Sequence, residues 1–408
     1  MGRSVERVFF MDKVTRRNFL KNTGISAAVL GLAAANVKAE EVIQGFDDTK
    51  TEIDPRKAWH QKYERKVKVG IAGYGFCKFG AAFGFQDHPN VEVAAVTDLI
   101  PERCQGLARA CRCKKTYPSL EQMVKDDNIE AVFCATDAPH HAEHCILAMD
   151  HGKHAATAVP AVFGSVEQAH EVFATVKKTG LNYMMFETSF YHDDLYAMRQ
   201  LYNAGKLGKI VYSEGEYYHY MATPLPSYKG WRIGLPPQYY PTHSNAYYCG
   251  VTSGSFTEVT CLGMPGIISQ YTPAGNVYKN PFGTEIALFR TSEGGMSRMA
   301  VSWDTPGHGG ERGRVRGEKG CVYPDHGGFQ GLQKVEYPKK PPLPPTVSAG
   351  GHGGSHGYLT NEFIMSILED RKPLVDAIMA LNMSVSGVVA HRSALKDGET
   401  LKIPQFVM

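Results

Sequence analysis

Residues 66–190 alternate between short apolar runs and longer stretches in which apolar and polar residues are mixed. The apolar runs, which predict buried strands, lie at 67–71, 91–96, 130–136, 154–159 and 181–188. The mixed stretches, which predict helices, lie at 79–87, 117–129, 140–152 and 165–180. Strands that alternate with helices in this way form a parallel sheet. The pattern therefore predicts an α/β fold whose N-terminal domain is a doubly wound parallel sheet of the Rossmann type.

The pattern changes after residue 190. Further runs that predict strands lie at 209–220, 284–291 and 294–303. A proline- and glycine-rich loop is predicted at 334–357, followed by helices at 358–370 and 376–398. We therefore expect residues 66–190 to form a cofactor domain. Residues 191–408 should form a substrate-binding α+β domain with an open, mainly antiparallel sheet.

The first 39 residues have the pattern of a twin-arginine export signal. Arg16 and Arg17 precede an apolar stretch at 24–37, which is shorter than the ~20 residues that a membrane-spanning helix needs. Small residues lead to a cleavage point after Ala39. The pattern predicts export to the periplasm or beyond through the twin-arginine machinery, with residues 40–65 as an N-terminal arm. An uncleaved anchor or an unstructured tail is the alternative.

Two glycines separate the first predicted strand from the helix that follows it. Gly73 and Gly75 form the tight turn, which lets a backbone approach a pyrophosphate at the start of a helix. Asp98 ends the second strand, 23 residues after Gly75, where a carboxylate accepts hydrogen bonds from ribose hydroxyls. The pattern predicts dinucleotide binding, with NAD favoured over NADP because a carboxylate repels a 2′-phosphate. Lys78 stands where a third glycine or another small residue is expected.

Composition narrows the choice of function. The net charge of +3 is too small to indicate nucleic-acid or membrane-surface binding. Nine cysteines are scattered through the chain. Cys104, Cys111 and Cys113 lie close together, but no fourth ligand follows at finger-like spacing, so we expect no metal site.

One stretch of the first domain resembles a known family. Residues 130–160, EAVFCATDAPHHAEHCILAMDHGKHAATAVP, are similar to the signature run of the glucose–fructose oxidoreductase/inositol dehydrogenase (Gfo/Idh/MocA) family. His141 matches the family's helix histidine, and Pro160 matches the proline that ends its Glu-Lys-Pro sequence. The resemblance extends from about Lys66 to the C-terminus. It implies a Rossmann domain for NAD, a second domain for a sugar or polyol, and C-terminal helices that return to the first domain.

The chain departs from this family at Ala158 and Val159, which replace Glu and Lys. In the family's simple dehydrogenases that lysine bridges the cofactor and the substrate hydroxyl. Its replacement argues against plain alcohol oxidation by the usual residues.

The second domain resembles the NAD-dependent glycosidases of glycoside hydrolase family 109. A Tyr-Pro-Thr-His run at 240–243 matches a run that carries catalytic and substrate-binding residues in that family. Tyr191 is similarly placed to a tyrosine in its strand-end loop. The glycine- and histidine-rich segment at 350–359 matches its glycine–histidine loop, with Ser355 and His356 where an acidic residue is usual.

Together, the residues and the resemblances predict a site between the two domains. We expect His243, Tyr191 and Tyr240 to be catalytic, His243 because imidazole titrates near neutrality. The expected cofactor-binding residues are Gly73, Gly75, Phe76, Asp98, Thr136, His141 and Pro160, and the expected substrate-binding residues are Trp231, Arg232, Thr242 and His356. His243 is alternatively a helix-start histidine bonded to backbone, and Arg232 a surface ion pair. His352 and His356 have the look of metal ligands, but the flexible glycines and the missing acidic residue favour a mobile lid over the site.

The predicted protein is an exported NAD-dependent enzyme that acts on a sugar or glycoside. Because free NAD is scarce outside the cytoplasm, the cofactor should be recycled in place. This favours glycoside cleavage by oxidation, elimination and hydration. A plain sugar or polyol dehydrogenase, a sugar–sugar oxidoreductase and a non-catalytic carbohydrate-binding protein are the alternatives. Whether the chain forms a homo-oligomer stays open.

Overall fold

The structure, a computed structural model, describes residues 59–407. The predicted signal peptide at 1–39 and residues 40–58 of the predicted arm lie outside the described residues. The helices of at least ten residues are α1 (Pro101–Ala110), α2 (His141–Asp150), α3 (Val166–Thr179), α4 (Asp193–Asn203), α5 (Thr242–Thr252), α6 (His356–Leu368) and α7 (Ala377–Ala394). The shorter helices and 3-10 turns are Phe79–Ala82, Phe85–Asp87, Leu120–Met123, Ala138–His140, Thr188–Tyr191, Tyr228–Gly230, Pro237–Tyr239, Ser269–Tyr271, Pro273–Gly275, Pro324–His326 and Gly351–Gly354.

The first sheet is parallel throughout, as the alternation of strands and helices predicts. Its strands are β1 (Val67–Ala72), β2 (Val91–Thr97), β3 (Thr116–Tyr117), β4 (Ala131–Cys134), β5 (His154–Thr157) and β6 (Tyr183–Met185). Their order in the sheet is β3-β2-β1-β4-β5-β6. The order reverses at β1 and β4, and the crevice outside the carboxyl ends of such strands is where ligands bind.

The glycine turn after β1 has the geometry that the sequence predicts, with one change. Gly73 and Gly75 both adopt positive φ angles, 94° and 60°. The close approach expected at position 78 is made by Gly80 instead. A Cβ at Gly80 would lie 2.3 Å from the carbonyl oxygen of Gly73, so only glycine lets this helix pack against the turn.

Two predicted helices are shorter than expected. The helix expected at 79–87 ends after Ala82, because Gly84 turns the chain with a φ of 76° before the turn at Phe85–Asp87. The helix expected at 117–129 is helical only at Leu120–Met123, because Tyr117 pairs in β3 and Asp126 accepts a turn hydrogen bond from the Asn128 amide.

The second sheet has eight strands and is mainly antiparallel, as predicted. They are β7 (Ile210–Tyr218), β8 (Phe256–Pro265), β9 (Phe282–Thr291), β10 (Met296–Ser302), β11 (Gly310–Gly317), β12 (Gly320–Tyr323), β13 (Gly328–Gly331) and β14 (Leu401–Lys402). The order is β13-β12-β11-β7-β10-β9-β8-β14, and only β7 and β10 pair in parallel among these strands. Helix α5 packs on β7, where a Cβ at Gly215 would lie 2.0 Å from the Ser244 carbonyl oxygen.

The C-terminal helices return to the first domain. The Thr360 hydroxyl on α6 donates a 2.7 Å hydrogen bond to the carbonyl of Phe83, and the ring of Phe363 lies 6.0 Å from that of Phe186. Helix α6 therefore connects the end of the short helix Phe79–Ala82 to the end of β6. Within residues 59–407, no helix combines the length and the apolar character that crossing a membrane requires.

Candidate functional site

A cleft of about 330 Å³ lies at the carboxyl ends of β1, β2 and β4. Five of the predicted cofactor residues line it: Gly73, Gly75, Phe76, Asp98 and Thr136. Its opposite wall comes from the second domain, at 226–229 and 231–232. The cleft therefore lies between the two domains, at the point where a doubly wound sheet binds its ligand.

Asp98 joins the glycine turn to the end of β2. One carboxylate oxygen accepts hydrogen bonds from the backbone amides of Tyr74, at 2.8 Å, and Gly75, at 3.4 Å. The other oxygen accepts from the amide of Ile100, at 2.9 Å. This carboxylate holds the turn in place from the wall of the cleft, so its side chain shapes the site as well as offering acceptors to a ribose.

The residues of this cleft fit a dinucleotide. Nothing lies within 4 Å of the position that a Cβ would take at Gly75, so the turn leaves open space beside its backbone. Gly73 permits the close contact of the turn with the end of β4, because a Cβ there would lie 2.5 Å from the Ala135 carbonyl oxygen. Arg103 and Lys229 on the cleft wall supply positive charge for phosphates.

Two predicted cofactor residues lie behind the cleft rather than on its wall. His141 is buried, and its two ring nitrogens lie 2.8 Å from the Pro160 carbonyl oxygen and 3.1 Å from the Thr136 carbonyl oxygen. His141 therefore fixes the positions of Pro160 and Thr136. The prediction that it contacts the cofactor directly is not supported, because its ring is enclosed by backbone.

Trp231 and Arg232 connect the cleft to the second domain. The Trp231 indole nitrogen donates a 2.8 Å hydrogen bond to Asp137, which follows β4. The Arg232 guanidinium lies 4.2 Å from the Trp231 ring centre, and its positive charge opposes the rise in the pKa of Tyr240. Arg232 thus lies on the wall of the cleft, near the Tyr-Pro-Thr-His run.

His243 lies in the first turn of α5, between two buried carboxylates. Its Nδ1 atom is 2.7 Å from Glu187 Oε1 and 3.6 Å from Glu311 Oε2. Glu187 follows β6, whereas Glu311 is on β11, so strands of both sheets meet at this imidazole. The alternative of a histidine bonded to backbone is wrong, because the partners of Nδ1 are side chains: the two carboxylates and the Thr188 hydroxyl.

The carboxylates change the proton affinity of this histidine. Burial alone would lower the pKa of His243, but the charges of Glu187 and Glu311 outweigh burial and raise it to about 9. Burial would raise the pKa of Glu311, but His243 and His192 outweigh burial and lower it. The near-neutral titration expected of His243 is therefore not found.

Aromatic rings enclose the same cluster. The Tyr217 ring packs edge-on against His243 with centroids 4.5 Å apart, and the Tyr240 ring lies 5.8 Å away. Burial raises the pKa of Tyr240 to about 12, although the Arg232 cation opposes this. Tyr191 is buried and stacks on Tyr358 at 5.4 Å. The structure thus brings Tyr240 to His243, whereas Tyr191 lies at the turn that follows Glu187.

Two predicted substrate residues are buried away from open space. Thr242 is fully buried. His356 begins α6, where Nδ1 lies 3.0 Å from the Ala82 carbonyl oxygen and Nε2 lies 2.8 Å from His352 Nδ1. Burial lowers the pKa of His356 to about 4. His356 therefore joins α6 to the short helix Phe79–Ala82, and its substrate-binding role and the mobile lid stay predictions.

Sequence reasoning missed the residues that complete the cluster. Glu311 lies in a glycine- and arginine-rich strand with no motif around it. His192, whose Nε2 is 3.2 Å from Glu311 Oε2, resembles any polar residue at a helix start. Glu187, His243 and Glu311 place one metal-ligand atom each within 4.8 Å of one another. The nine cysteines are free thiols, and Cys104, Cys111 and Cys113 belong to no such group among the described residues.

Comparisons with known proteins show what this chain resembles in fold and sequence. Residues 67–187 match the profile of an oxidoreductase family with an NAD-binding Rossmann fold. Solved structures with the same fold include scyllo-inositol dehydrogenase from Lactobacillus casei with bound NAD(H) and scyllo-inositol. That structure aligns with a TM-score of 0.64 and 16% identity over 83% of this chain and 99% of that chain. A levoglucosan dehydrogenase complexed with NADH and L-sorbose aligns with a TM-score of 0.66 and 17% identity, over 84% and 100% of the two chains.

The proteins that resemble this chain in sequence are named differently from those that resemble it in structure. A glycosyl hydrolase family 109 protein from Bacteroides thetaiotaomicron is 29% identical over 58% of this chain and 54% of that protein. A protein of the same name from Solibacter usitatus is 24% identical over 97% and 98% of the two chains. The match to the Bacteroides relatives spans about half of their length.

Proposed function

Because residues 67–187 form the NAD-binding Rossmann domain of the Gfo/Idh/MocA oxidoreductase family, we propose that this enzyme acts on a carbohydrate beside that cofactor. The substrate is a sugar or glycoside held between the domains. The reaction is glycoside cleavage without net oxidation. One sugar carbon is oxidised, the neighbouring C–H loses its proton, the C1 substituent leaves, water adds, and the ketone is reduced again.

One observation carries this proposal: Arg232 on the wall of the cofactor cleft is near Tyr240, and Tyr240 is near His243 of the buried cluster. The ring of Tyr240 lies 5.8 Å from that of His243. When bound, NAD supplies a hydride acceptor that gives the hydride back at the end of the cycle. A substrate between Arg232 and His243 would contact both the cofactor cleft and the cluster.

The residues of this region suit a sugar. The rings of Tyr217 and Tyr240 offer apolar faces for a pyranose, and their hydroxyls reach its polar groups. The Arg232 guanidinium donates to hydroxyl or carbonyl oxygens. His243 remains our candidate for the reacting end of the site, with Tyr191 and Tyr240 orienting the sugar hydroxyl.

Two features favour cleavage over plain dehydrogenation. Ala158 and Val159 are buried, so this stretch provides no lysine beside the cofactor. The proteins that resemble this chain in sequence are named as glycosyl hydrolases. The dehydrogenases are only 16% and 17% identical to it, which establishes a shared fold and nothing more.

The proposal also includes export of the folded protein from the cytoplasm. We infer from Arg16, Arg17 and the apolar stretch at 24–37 that residues 1–39 direct the folded protein through the twin-arginine pathway. An enzyme outside the cytoplasm has little free NAD to exchange. Recycling the cofactor in one site removes that need, so the proposed location and the proposed chemistry are consistent.

The test follows the nicotinamide absorbance of the purified protein when glycosides are added. Redox-neutral cleavage predicts a transient rise, release of the aglycone and no lasting NADH. A lasting rise with excess NAD would identify a plain dehydrogenase, the second candidate. Binding of the sugar without any absorbance change would contradict both, and would indicate a carbohydrate-binding protein.

A further inference from the structure

The ammonium group of Lys340 is largely buried and has three oxygen acceptors. The side chain is 10% exposed, and Nζ lies 2.7 Å from the Tyr191 carbonyl oxygen, 3.2 Å from that of Gly354 and 3.0 Å from Asp193 Oδ1. A lysine ammonium has three N–H donors, so the number of acceptors matches the number of donors. Lysine is rarely buried unless it is paired in this way, because removing its charge from water is unfavourable.

These acceptors come from separate segments of the chain. They are the end of the turn Thr188–Tyr191, the start of α4 and the end of the helical turn Gly351–Gly354. Lys340 itself belongs to residues 332–350, in which the structure has neither a helix nor a strand. Loops longer than about 12–15 residues without secondary structure are uncommon and usually functional. The buried ammonium therefore ties a long loop to two turns of the second domain.

The turn Thr188–Tyr191 contacts the buried imidazole and carboxylates. Thr188 Oγ1 lies 3.3 Å from His243 Nδ1, and the Ser189 hydroxyl donates a 2.6 Å bond to Glu311 Oε2. The lysine ammonium holds the carbonyl at the other end of the same turn. It therefore limits how far these two hydroxyl groups, and the tyrosine ring that ends the turn, can shift.

The turn Gly351–Gly354 covers another part of the cluster. Gly353 has a φ of 65°, and a Cβ there would lie 2.8 Å from Cδ2 of His192. The His192 ring, whose Nε2 is 3.2 Å from Glu311 Oε2, therefore packs directly against this backbone. Because Lys340 holds the carbonyl that ends the turn, it also fixes the backbone that covers this ring.

A second buried lysine shows what a purely structural lysine looks like in this chain. Lys153 is 6% exposed, and its Nζ donates a 3.0 Å bond to the carbonyl of Asp126. It precedes β5, at the amino end of the parallel sheet, whereas the cofactor cleft lies at the carboxyl ends of the strands. Lys340 differs because two of its three partners belong to turns that contact the cluster.

We propose that Lys340 is a positioning residue of the proposed sugar site: it holds the turn that carries Tyr191 and the backbone that covers His192 in the arrangement that the reaction requires. The ring of Tyr358, which lies 4.8 Å from the ammonium and stacks on Tyr191 at 5.4 Å, belongs to the same contact. The catalytic part of this inference rests on the proposed function, whereas the placement of the two turns does not.

The experiment compares the parent with Lys340→Met in the NAD-bound full chain. Methionine keeps an unbranched apolar stem and deletes the ammonium, so both carbonyls lose their donor. We expect kcat for glycoside cleavage to fall about 10- to 100-fold, since a misplacement of about 1 Å costs up to about 100-fold in rate. KM and NAD affinity should change little, because Lys340 is absent from the wall of the cofactor cleft and its partners do not include Arg232 or Tyr240.

Hydrogen–deuterium exchange without any sugar measures the placement of the two turns directly. In the parent, the His192 amide donates to the Ser189 carbonyl at 3.0 Å, and the Ser355 amide donates to the Gly351 carbonyl at 3.2 Å. Both amides should exchange faster in Lys340→Met, because the turns open locally more often when the ammonium no longer holds them.

Four further variants separate positioning from stability. Lys340→Arg should recover most of the lost rate, because a guanidinium keeps the charge and the donors. Lys153→Met, the matched control, should lower the melting temperature without changing kcat or the exchange of the two turns. Lys339→Met, at an exposed neighbour, should behave like the parent. Lys340→Gln, which keeps a donor at shorter reach, serves if Lys340→Met does not fold, and it should show both effects at smaller size.

Parental exchange and parental kcat in folded Lys340→Met or Lys340→Gln would overturn the proposal. So would a loss of kcat that Lys153→Met reproduces in full, since that loss would reflect destabilisation alone. Faster exchange with a parental kcat would leave Lys340 a structural residue and overturn its positioning role. A parent that cleaves no glycoside would instead contradict the proposed function, and the exchange measurement would still decide whether Lys340 holds the two turns.

Discussion

The indole nitrogen of Trp231 donates a 2.8 Å hydrogen bond to Oδ1 of Asp137, and this bond closes the loop at 226–232 over the cofactor cleft. The Tyr278 hydroxyl supports the loop with a 2.6 Å bond to the Trp231 carbonyl oxygen. The two domains are thus joined where a dinucleotide would enter and leave. Retention of the cofactor should depend on this contact.

Trp231→Phe should release NAD faster, because it deletes the indole donor and keeps an aromatic ring. One hydrogen bond to a carboxylate contributes about 1.5–3 kcal/mol, which corresponds to at least about tenfold in the dissociation rate if the loop must open first. Stopped-flow fluorescence of bound NADH measures that rate. Tyr220→Phe, in the same segment but outside the cleft wall, is the control. An unchanged rate for Trp231→Phe would mean that the loop does not limit release.

Asp98→Ala should weaken NAD by about tenfold or more, through the loss of charged acceptors for the ribose hydroxyls. The structure adds a second reason, since the same carboxylate holds the amides of Tyr74 and Gly75. Calorimetric titration with NAD and NADP measures both effects. Asp98→Asn is the control for shape, because its amide oxygen retains some acceptors without the charge. If the parent, Asp98→Ala and Asp98→Asn bind NAD equally well, Asp98 does not contribute to cofactor binding.

The cofactor half of the site could be predicted from sequence because its determinants are local. Gly73, Gly75 and Asp98 follow strand ends within one strand–turn–helix–strand unit, so chain order alone places them together. Thr136 follows the next strand of the same sheet. Lys78 stands where a small residue is expected, but Gly80, two residues later, makes the close approach to the turn instead.

The cluster at His243 could not be predicted in full, because its parts come from three distant segments. His243 lies 56 residues after Glu187 in the chain, and Glu311 lies on a later strand of the other sheet. Only the register of β11 with β7, which pairs Glu311 with Tyr217, brings that carboxylate to the imidazole. The same long-range packing buries His356 at the start of α6, where its glycine-rich surroundings predicted a lid.

Stability should fall as the pH drops from about 6.5 towards 4, in part because of His88. Its Nδ1 accepts the Asn90 amide and its Nε2 lies 3.2 Å from Asn361 Oδ1, so the neutral ring is the form held in place. Burial lowers the pKa of His88 from 6.5 to about 4. The unfolded chain therefore binds this proton more readily, and the contribution is fully present above pH 6.5 and lost towards pH 4.

Urea unfolding at pH 7 and pH 5 measures this effect. We expect His88→Gln to be less stable than the parent at pH 7 and to lose about 1–2 kcal/mol less on going to pH 5. His151→Gln, at an exposed histidine, should behave like the parent at both pH values. If the free energy of unfolding changes equally with pH in the parent and in His88→Gln, His88 does not determine the pH dependence of stability.

His243→Ala should keep NAD affinity and lose about 100-fold or more in glycoside turnover. The affinity should be retained because His243 is absent from the wall of the cofactor cleft, whereas the turnover depends on the cluster around it. Steady-state kinetics and NAD titration on the same preparation separate the two effects. If His243→Ala turns over at the parental rate, the reaction does not take place at α5.

The sequence of oxidation and elimination can be tested by turnover in heavy water. In the proposed mechanism, the C–H beside the transient ketone loses its proton to a group that exchanges with solvent, so deuterium should appear at that carbon in the product. The oxidised carbon should keep its own hydrogen, since the hydride that leaves it is returned from the cofactor without exchange. NMR of the released sugar locates the deuterium, and a substrate deuterated at the oxidised carbon should yield product that retains the label. Product without solvent deuterium would contradict elimination, and loss of the label from the oxidised carbon would contradict return of the same hydride.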